Sequence, residues 1–137
     1  MVKEIQNKNL TRLDKIIILK LREKVMKKMK VKLNTMKMIK SVSDDTRLMV
    51  IMILLQYKDG VEVGVSEFRS QIKCEPTLLS HHLSILRKRG ILLSRRDGKR
   101  VFYKFNKKVV SRKSLDLGEG LKLSFKDYTG FIRQVTG

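Results

Sequence analysis

The 137-residue sequence carries two adjacent histidines, His81 and His82, shortly before a cluster of arginines. Histidines bind metals or act in acid–base catalysis, whereas clustered arginines bind phosphate groups. Neighbouring residues on a helix point about 100° apart, so His81 and His82 are poorly placed to chelate one ion. The chain has no other histidine and one cysteine, Cys74, so a zinc site would lack ligands. We therefore predict neither a metal site nor a cofactor.

Catalytic chemistry is not indicated elsewhere in the chain. Glu62, Glu67 and Glu75 are scattered rather than paired for acid–base work, and the sequence has no glycine-rich phosphate loop. We therefore predict that the protein is not an enzyme. Cys74 is interpreted as a structural thiol. A redox switch at Cys74 needs an intermolecular partner and is kept as an alternative.

The charge of the chain favours the arginines as the functional group. It has 32 Lys and Arg against 13 Asp and Glu, a net charge of +19. Such a chain needs a polyanion as partner, either nucleic acid or an anionic membrane surface. Its longest apolar runs, IIIL and LMVIMILL, are too short to span a bilayer, and its first residues, MVKEIQNKNL, do not read as a signal peptide. We expect a cytoplasmic, nucleoid-associated protein without a membrane partner.

Residues 1–40 are predicted to form a basic helical extension. The stretch LTRLDKIIILKLREKVMKKMKVKLNTMKMIK lacks Gly and Pro, and Thr11 with Asp14 is suited to cap its start. One apolar stripe recurs at steps of three and four: Ile18, Leu21, Val25, Met29, Leu33 and Met36. The stripe is predicted to pack on the domain or on a second copy of itself, which would make the extension a dimerisation segment. Its lysines can also contact phosphates.

Residues 41–106 are predicted to form one compact DNA-binding domain. A helix follows Ser43 or Asp44, either of which is a good N-cap, and ends near Asp59-Gly60. Its buried stripe is predicted at Leu48, Ile51, Met52 and Leu55. A second, short helix is predicted from about Ser66, with Phe68 and Ile72 facing inward.

The next helix is predicted from Pro76 to Arg89, because Pro suits a first helical turn and Gly90 provides the stop. Leu79, Leu83 and Leu86 line one face, and His82 is expected to be partly buried and hydrogen-bonded beside them. The residues predicted to face DNA are Thr77, Leu78, Ser80, His81, Ser84, Arg87 and Lys88. Two helices joined by a tight link, the second polar and basic on its outer side, are typical of a helix-turn-helix.

Two strand-like runs flank Asp97-Gly98 within residues 92–105, which predicts a tight hairpin. Four basic residues crowd its tip and are predicted to contact phosphates: Arg95, Arg96, Lys99 and Arg100. A basic hairpin directly after a helix-turn-helix is a wing, so the predicted fold class is mainly α with a small β wing. In the tail, residues 107–137, SLDLGEGLKLSF suggests a further hairpin and FKDYTGFIRQV a short helix.

Three blocks of this sequence resemble the ArsR/SmtB family of winged-helix repressors. They are SDDTRLMVIMIL, LSHHLSILRKRGIL and RRDGKRVFYKF, which lie in the family's order between Val42 and Phe105. The resemblance implies a dimeric repressor that places the helix near 76–89 in the major groove. Many members release DNA on binding metal through a sequence similar to ELCVCDL, where this chain has EVGVSEF. No histidine follows His82 for the family's other metal site, so no effector is identified.

The sequence therefore predicts a homodimeric, sequence-specific regulator of transcription, most simply a repressor, that binds double-stranded DNA. Its wing, residues 92–105, would hold phosphates or enter the minor groove. An architectural or replication-associated protein that coats DNA with little sequence preference is the main alternative, favoured by the lysines of residues 1–40. A winged helix that serves as a scaffold for protein–protein contacts is a second alternative.

Overall fold

The computed structural model describes residues 9–111 and 114–125. The elements are α1 Arg12–Val42, α2 Asp45–Leu55, β1 Val63–Gly64, α3 Val65–Gln71, α4 Pro76–Lys88, β2 Leu92–Asp97, β3 Arg100–Phe105, β4 Ser114–Gly118 and β5 Leu121–Ser124. This confirms the predicted fold class, a helical protein with a small β wing. No helix in the described ranges combines the length and apolarity needed to cross a bilayer.

The long helix α1 begins with the predicted cap. The Thr11 hydroxyl accepts a hydrogen bond from the Asp14 backbone N–H, and the Asp14 carboxylate accepts one from the Thr11 N–H. Burial is confined to the C-terminal turns, where Thr35, Ser41 and Val42 contact the rest of the chain. None of the predicted stripe residues is buried. The prediction that the stripe packs on the domain is therefore wrong for the residues that the structure describes. Packing on a second copy is the remaining interpretation.

The core is built where α2, α3 and α4 meet the small sheet. Phe68 of α3, Leu79, Leu83 and Leu86 of α4, and Leu92 of β2 are fully buried. The predicted inward positions of α3 and α4 are thereby confirmed. Phe68 also makes an edge-to-face contact with Tyr103 of β3, at 6.4 Å between ring centroids.

The buried face of α2 differs from the predicted stripe. Asp44 is the N-cap, and its carboxylate accepts a hydrogen bond from the Arg47 backbone N–H. The buried residues of α2 are Val50, Ile51, Ile53 and Leu54, while Leu48, Met52 and Leu55 are half-buried. The helix is apolar on nearly all sides, so periodicity cannot identify the side that packs most tightly.

The end of α4 is fixed in detail by Gly90. Gly90 has a φ of +78°, and its N–H donates to the carbonyl of Arg87, while the Ile91 N–H donates to that of Leu86. This pair of hydrogen bonds is a Schellman motif, completed by the apolar residues Leu86 and Ile91, both fully buried. Asn106, at the end of β3, donates its side-chain N–H to the carbonyl of Gly90 and its backbone N–H to that of Ile91. The base of the wing is therefore tied to the end of α4.

The wing is an antiparallel hairpin of β2 and β3, and β1 pairs with the other edge of β3. Asp97 pairs with Arg100, so the two-residue turn is Gly98-Lys99, one residue later than the predicted Asp97-Gly98. Gly98 has a φ of +59° whereas Lys99 does not have a positive φ, as in a type II′ turn. This turn places glycine at its first position, which moves Asp97 into the strand.

A second hairpin, β4–β5, lies over the stretch for which the sequence suggests one, and β4 packs on α1. Leu115 and Phe125 are buried there. Gly118 lies against Thr35 of α1, and a Cβ at Gly118 would be 2.5 Å from the Thr35 hydroxyl oxygen. The suggested helix at FKDYTGFIRQV falls, apart from Phe125, outside the described residues.

Replacing Gly118 by alanine is expected to destabilise this packing. The φ of Gly118 is +98°, which strains any other residue, and the added methyl group would collide with Thr35. We expect the free energy of unfolding to fall by about 1–3 kcal/mol. Denaturant unfolding measures the loss.

Gly120→Ala is the matched control for this variant. Gly120 also has a positive φ, +79°, but a Cβ there meets no described atom within 4 Å. This variant therefore carries the backbone strain without the collision. Equal losses in the two variants would show that the hairpin does not rest on Thr35.

Candidate nucleic-acid interface

Helix α4 has one buried and one exposed side. The exposed residues include the predicted DNA-facing set Thr77, Leu78, Ser80, His81, Arg87 and Lys88, whereas Ser84 is half-buried. Leu78 is an apolar side chain with 47 % of its surface exposed. The helix thus presents hydroxyl, imidazole, methyl and cationic groups, the kinds of group that contact base edges and phosphates.

His82 lies on the buried side of α4 and is 8 % exposed. Its Nδ1 is 2.9 Å from a guanidinium nitrogen of Arg47 and 3.7 Å from the Asp44 carboxylate. The interpretation of His82 as a partly buried, hydrogen-bonded histidine is confirmed. Burial raises the pKa of Asp44, but the hydrogen bond from the Arg47 N–H and the charge of Arg47 outweigh it, so this pKa lies below its usual value.

The four predicted wing cations are all exposed but differ in their surroundings. Among the described residues, the side chains of Arg96, Lys99 and Arg100 have no hydrogen-bond or ion-pair partner, so they are free to bind an anion. Arg95 instead donates a hydrogen bond from Nε to a carboxylate oxygen of Glu62 at 2.9 Å, and its Nη2 forms an ion pair with the same oxygen at 2.8 Å. Of the four predicted wing cations, three are therefore unpaired and one is paired.

The pairing of Arg95 follows from the register of the sheet. Arg95 lies opposite Phe102 in the β2–β3 ladder, and its guanidinium is 5.1 Å from the centre of the Phe102 ring. Gly64 pairs with Phe102 on the other side, and Glu62, two residues before Gly64, therefore lies on the same face. The hydrogen bond from Arg95, and the charges of Arg95 and Lys104, hold the pKa of Glu62 below its usual value despite some desolvation.

The wing and the helix-turn-helix share a groove. Its lining includes Ser80 of α4 and Lys99, Arg100 and Phe102 of the wing, together with residues of β1 and α3. Tyr103 of β3 is buried on the side of the wing that faces the core. Burial raises the pKa of Tyr103, and the charges of Arg87 and Arg96 offset part of that rise. Cations from α4 and from the wing therefore lie near the Tyr103 hydroxyl group.

The metal and redox hypotheses meet no supporting geometry. Within the described ranges no group of three or more His, Cys, Asp or Glu residues could hold a metal ion. Cys74 is a half-buried free thiol that packs against the core between α3 and α4. Its suggested redox role stays a prediction.

The sequence analysis missed two residues that organise this interface, Arg47 and Glu62. Arg47 contacts His82 across 35 positions, and Glu62 contacts Arg95 across 33. Neither partner lies within a few residues, so no local spacing could have indicated these pairs. The available sequence signal was weak: Arg47 is a charged residue close to the capping acid Asp44, and Glu62 is a charged residue next to a buried strand.

Known proteins resemble this chain in both sequence and fold, although no protein-family model matches it. The cadmium resistance transcriptional regulatory protein CadC of Listeria innocua is 34 % identical over 83 residues, which are 61 % of this chain and 66 % of CadC, so the match spans just under two thirds of that relative. An HTH-type transcriptional regulator of Methanocaldococcus jannaschii, MJ1325, is 34 % identical over 64 residues, which are 47 % of this chain and 68 % of that protein.

Among solved structures, the homodimeric winged helix-turn-helix DNA-binding domain of Mb0332 from Mycobacterium bovis aligns with a TM-score of 0.51. It is 18 % identical and covers 80 % of this chain and 81 % of the domain, a similarity that shows the shared fold. The identity to MJ1325 over two thirds of its length adds the sequence relationship. Together with the fold and the three sequence blocks, these similarities place the chain in the ArsR/SmtB-type family of winged helix-turn-helix transcriptional regulators.

Proposed function

We propose that this regulator is a homodimeric repressor that binds a specific double-stranded DNA sequence in the cytoplasm. The observation that carries the proposal is the shared groove, whose lining includes Ser80 from the exposed side of α4 and the unpaired wing cations Lys99 and Arg100. A helix of this kind fits the major groove, and a basic hairpin beside it fits the adjacent backbone.

Sequence preference is assigned to α4. Thr77, Ser80 and His81 can donate to or accept from base edges, and Leu78 can contact a thymine methyl group. Half-buried Ser84 has less reach. Arg87 and Lys88, in the last turn, are assigned to phosphates, where they add affinity rather than sequence preference.

Affinity is assigned mainly to the wing. Arg96, Lys99 and Arg100 are available for phosphates or the minor groove, because no described side chain occupies them. Arg95 is proposed to join them after it exchanges the Glu62 carboxylate for a phosphate. Each phosphate contact of this kind contributes about 0.9 to the slope of log affinity against log salt.

Dimerisation is assigned to the stripe of α1. Leu21, Val25, Met29, Leu33 and Met36 are all at least half exposed, up to 61 % for Met29. A continuous apolar surface of this size on a single chain usually marks an interface. A second copy of α1 is the occupant proposed, because a two-fold axis sets each stripe against an identical stripe and leaves the lysines outside.

Binding to a specific duplex and to a scrambled duplex across salt concentrations tests this proposal. The purified protein first selects its preferred sequence from a random library, and the scrambled control has the same length and composition. We expect the selected duplex to bind at least about 1,000-fold more tightly, with a steep salt dependence for both. No detectable binding at low salt would favour the protein–protein scaffold.

The architectural alternative is supported by one observation, the exposed lysines of α1. Lys20, Lys24, Lys27 and Lys28 lie close to one another on the helix surface, and none is buried. Such a surface binds DNA without reading its sequence. Equal affinity for the selected and the scrambled duplex would establish this alternative and refute the repressor.

Replacing Glu62 by glutamine is expected to raise DNA affinity. The Glu62 carboxylate is paired with Arg95, so a DNA phosphate must displace this carboxylate in order to bind Arg95. An exposed ion pair of this kind contributes about 0–1 kcal/mol. We expect about two- to fivefold tighter binding, and a salt slope steeper by up to about 0.9. Fluorescence anisotropy at several salt concentrations measures both quantities.

Glu119→Gln is the matched control, because it makes the same change in net charge in the β4–β5 turn. Unchanged or weaker binding by Glu62→Gln would show that Arg95 is not used for phosphate. The pair with Glu62 would then serve only to support the wing.

A further inference from the structure

Arg47 lies where three helices meet. It is in the first turn of α2, directly after the end of α1, and its side chain reaches α4 as well. Each of its three guanidinium nitrogens has a partner, and those partners belong to two helices other than its own.

On one side, Arg47 holds the end of α1. Its Nε donates to the carbonyl of Ser41 at 2.6 Å, and Nη2 approaches the carbonyl of Lys40 at 3.5 Å. Both carbonyls are in the last turn of α1, where a cation is favoured by the helix dipole; the Lys40 carbonyl also accepts a hydrogen bond from the Ser43 backbone N–H.

On the other side, Arg47 holds the middle of α4. Its Nη1 is 2.9 Å from Nδ1 of His82. A guanidinium can only donate, so Nδ1 accepts in this hydrogen bond and the imidazole carries its proton on Nε2. His82 is followed by Leu83 in the core and preceded by His81 on the exposed side. The contact therefore reaches the segment of α4 that is proposed to read DNA.

The guanidinium is planar and rigid, so these three contacts fix angles as well as distances. These contacts set the direction of a long helix, because α1 has 31 residues and extends ~46 Å at 1.5 Å per residue. By the same rise per residue, Met29 lies about 20 Å from the end of α1 that Arg47 contacts. A turn of ~10° at Arg47 would move Met29 by roughly 3.5 Å, which is about one base-pair step of DNA.

We propose that Arg47 is a specificity-determining residue that fixes the angle between α1 and the recognition helix α4, and thereby the separation of the two half-sites that the dimer accepts. The inference rests on the proposed function, since it requires that α1 joins the two copies. The angle between α1 and α4 in each copy then sets the distance between the two recognition helices.

A selection experiment with variable spacing tests this inference. The library holds two copies of the half-site found for the wild-type protein, separated by spacers that differ by single base pairs. Full-length wild type, Arg47→Lys and His82→Leu are compared at a temperature where circular dichroism shows each to be folded. Lysine keeps the charge of Arg47 but lacks the planar fork, and leucine removes the acceptor on α4 while filling the space.

We expect the wild type to prefer one spacing over its neighbours by roughly tenfold, and both variants to reduce that preference to about twofold while still binding a single half-site. His82→Asn is expected to retain the wild-type preference, because its side-chain oxygen can accept a hydrogen bond near the position of Nδ1. Arg12→Lys, at the exposed start of α1, is the control for an arginine-to-lysine change without these contacts.

Three results would count against the inference, and they differ from one another. If both variants keep the sharp preference of the wild type, Arg47 stabilises the fold without setting the spacing. If the wild type selects half-sites without any preferred spacing, the proposed dimeric function fails first. Loss of single half-site binding in both variants, with the wild-type spacing retained by what binding remains, would also count against it.

Discussion

Replacement of both Val25 and Met29 by glutamine is expected to separate the dimer and to lower affinity for paired half-sites by about 100- to 10,000-fold. Both side chains lie in the exposed stripe of α1, at 55 % and 61 % exposure. Two linked recognition helices gain this factor from their high effective concentration on DNA, and two separate ones lose it. Sedimentation analysis measures the dimer, and titration with one-site and two-site duplexes measures the affinity.

The double variant Lys24→Gln and Lys28→Gln is the matched control for this experiment. Each lysine precedes a stripe residue and points to another side of α1. Removing two positive charges lowers DNA affinity modestly and reduces the salt slope, but the dimer should persist. A stripe variant that stays dimeric and binds normally would place the interface elsewhere, for example in the tail.

Replacing Leu79 by alanine is expected to cause the largest loss of stability among single changes in α4. Leu79 is fully buried, and truncation of a buried leucine costs about 2–5 kcal/mol. The total stability of a small domain is about 5–15 kcal/mol, so the variant would lose a large part of it. Denaturant unfolding and thermal unfolding measure the loss.

The neighbouring change Leu78→Ala should behave in the opposite way. Leu78 is 47 % exposed on the other side of the same helix, so its truncation should change stability by about 0.5 kcal/mol or less. We expect it instead to weaken binding to the selected DNA while leaving binding to scrambled DNA unchanged. If Leu78→Ala proves as destabilising as Leu79→Ala, the assignment of the two faces is wrong.

Helix α4 and the wing were predictable because their signals are local. The leucines of α4 recur at the helical period beside clearly polar positions, Pro76 and Gly90 mark its ends, and Asp97-Gly98 marks the hairpin to within one residue. Three such blocks in order also carried the family resemblance, which the similarity to CadC and MJ1325 confirms.

Three features were not predictable because they depend on partners far along the chain. The side of α2 that is most deeply buried is determined by the elements that pack around it, because its own residues are apolar on nearly all sides. The ion pair between Arg95 and Glu62 depends on the pairing of β1 with β3, which brings Glu62 to the wing. The position of Arg47 depends on how α1, α2 and α4 pack. The DNA-contacting residues and the segment boundaries stay predictions until binding is measured.

The tie that Asn106 makes between the wing and the end of α4 has a consequence for the DNA as well. Because the helix and the hairpin are joined at a fixed separation, they cannot adjust independently to a duplex. In the proposed binding mode, the duplex between the groove that α4 enters and the backbone that the wing holds would have to bend, or its groove would have to narrow, to fit both elements. We therefore expect the selected sequence to show preferences at positions that no side chain touches, set by the flexibility of the duplex itself.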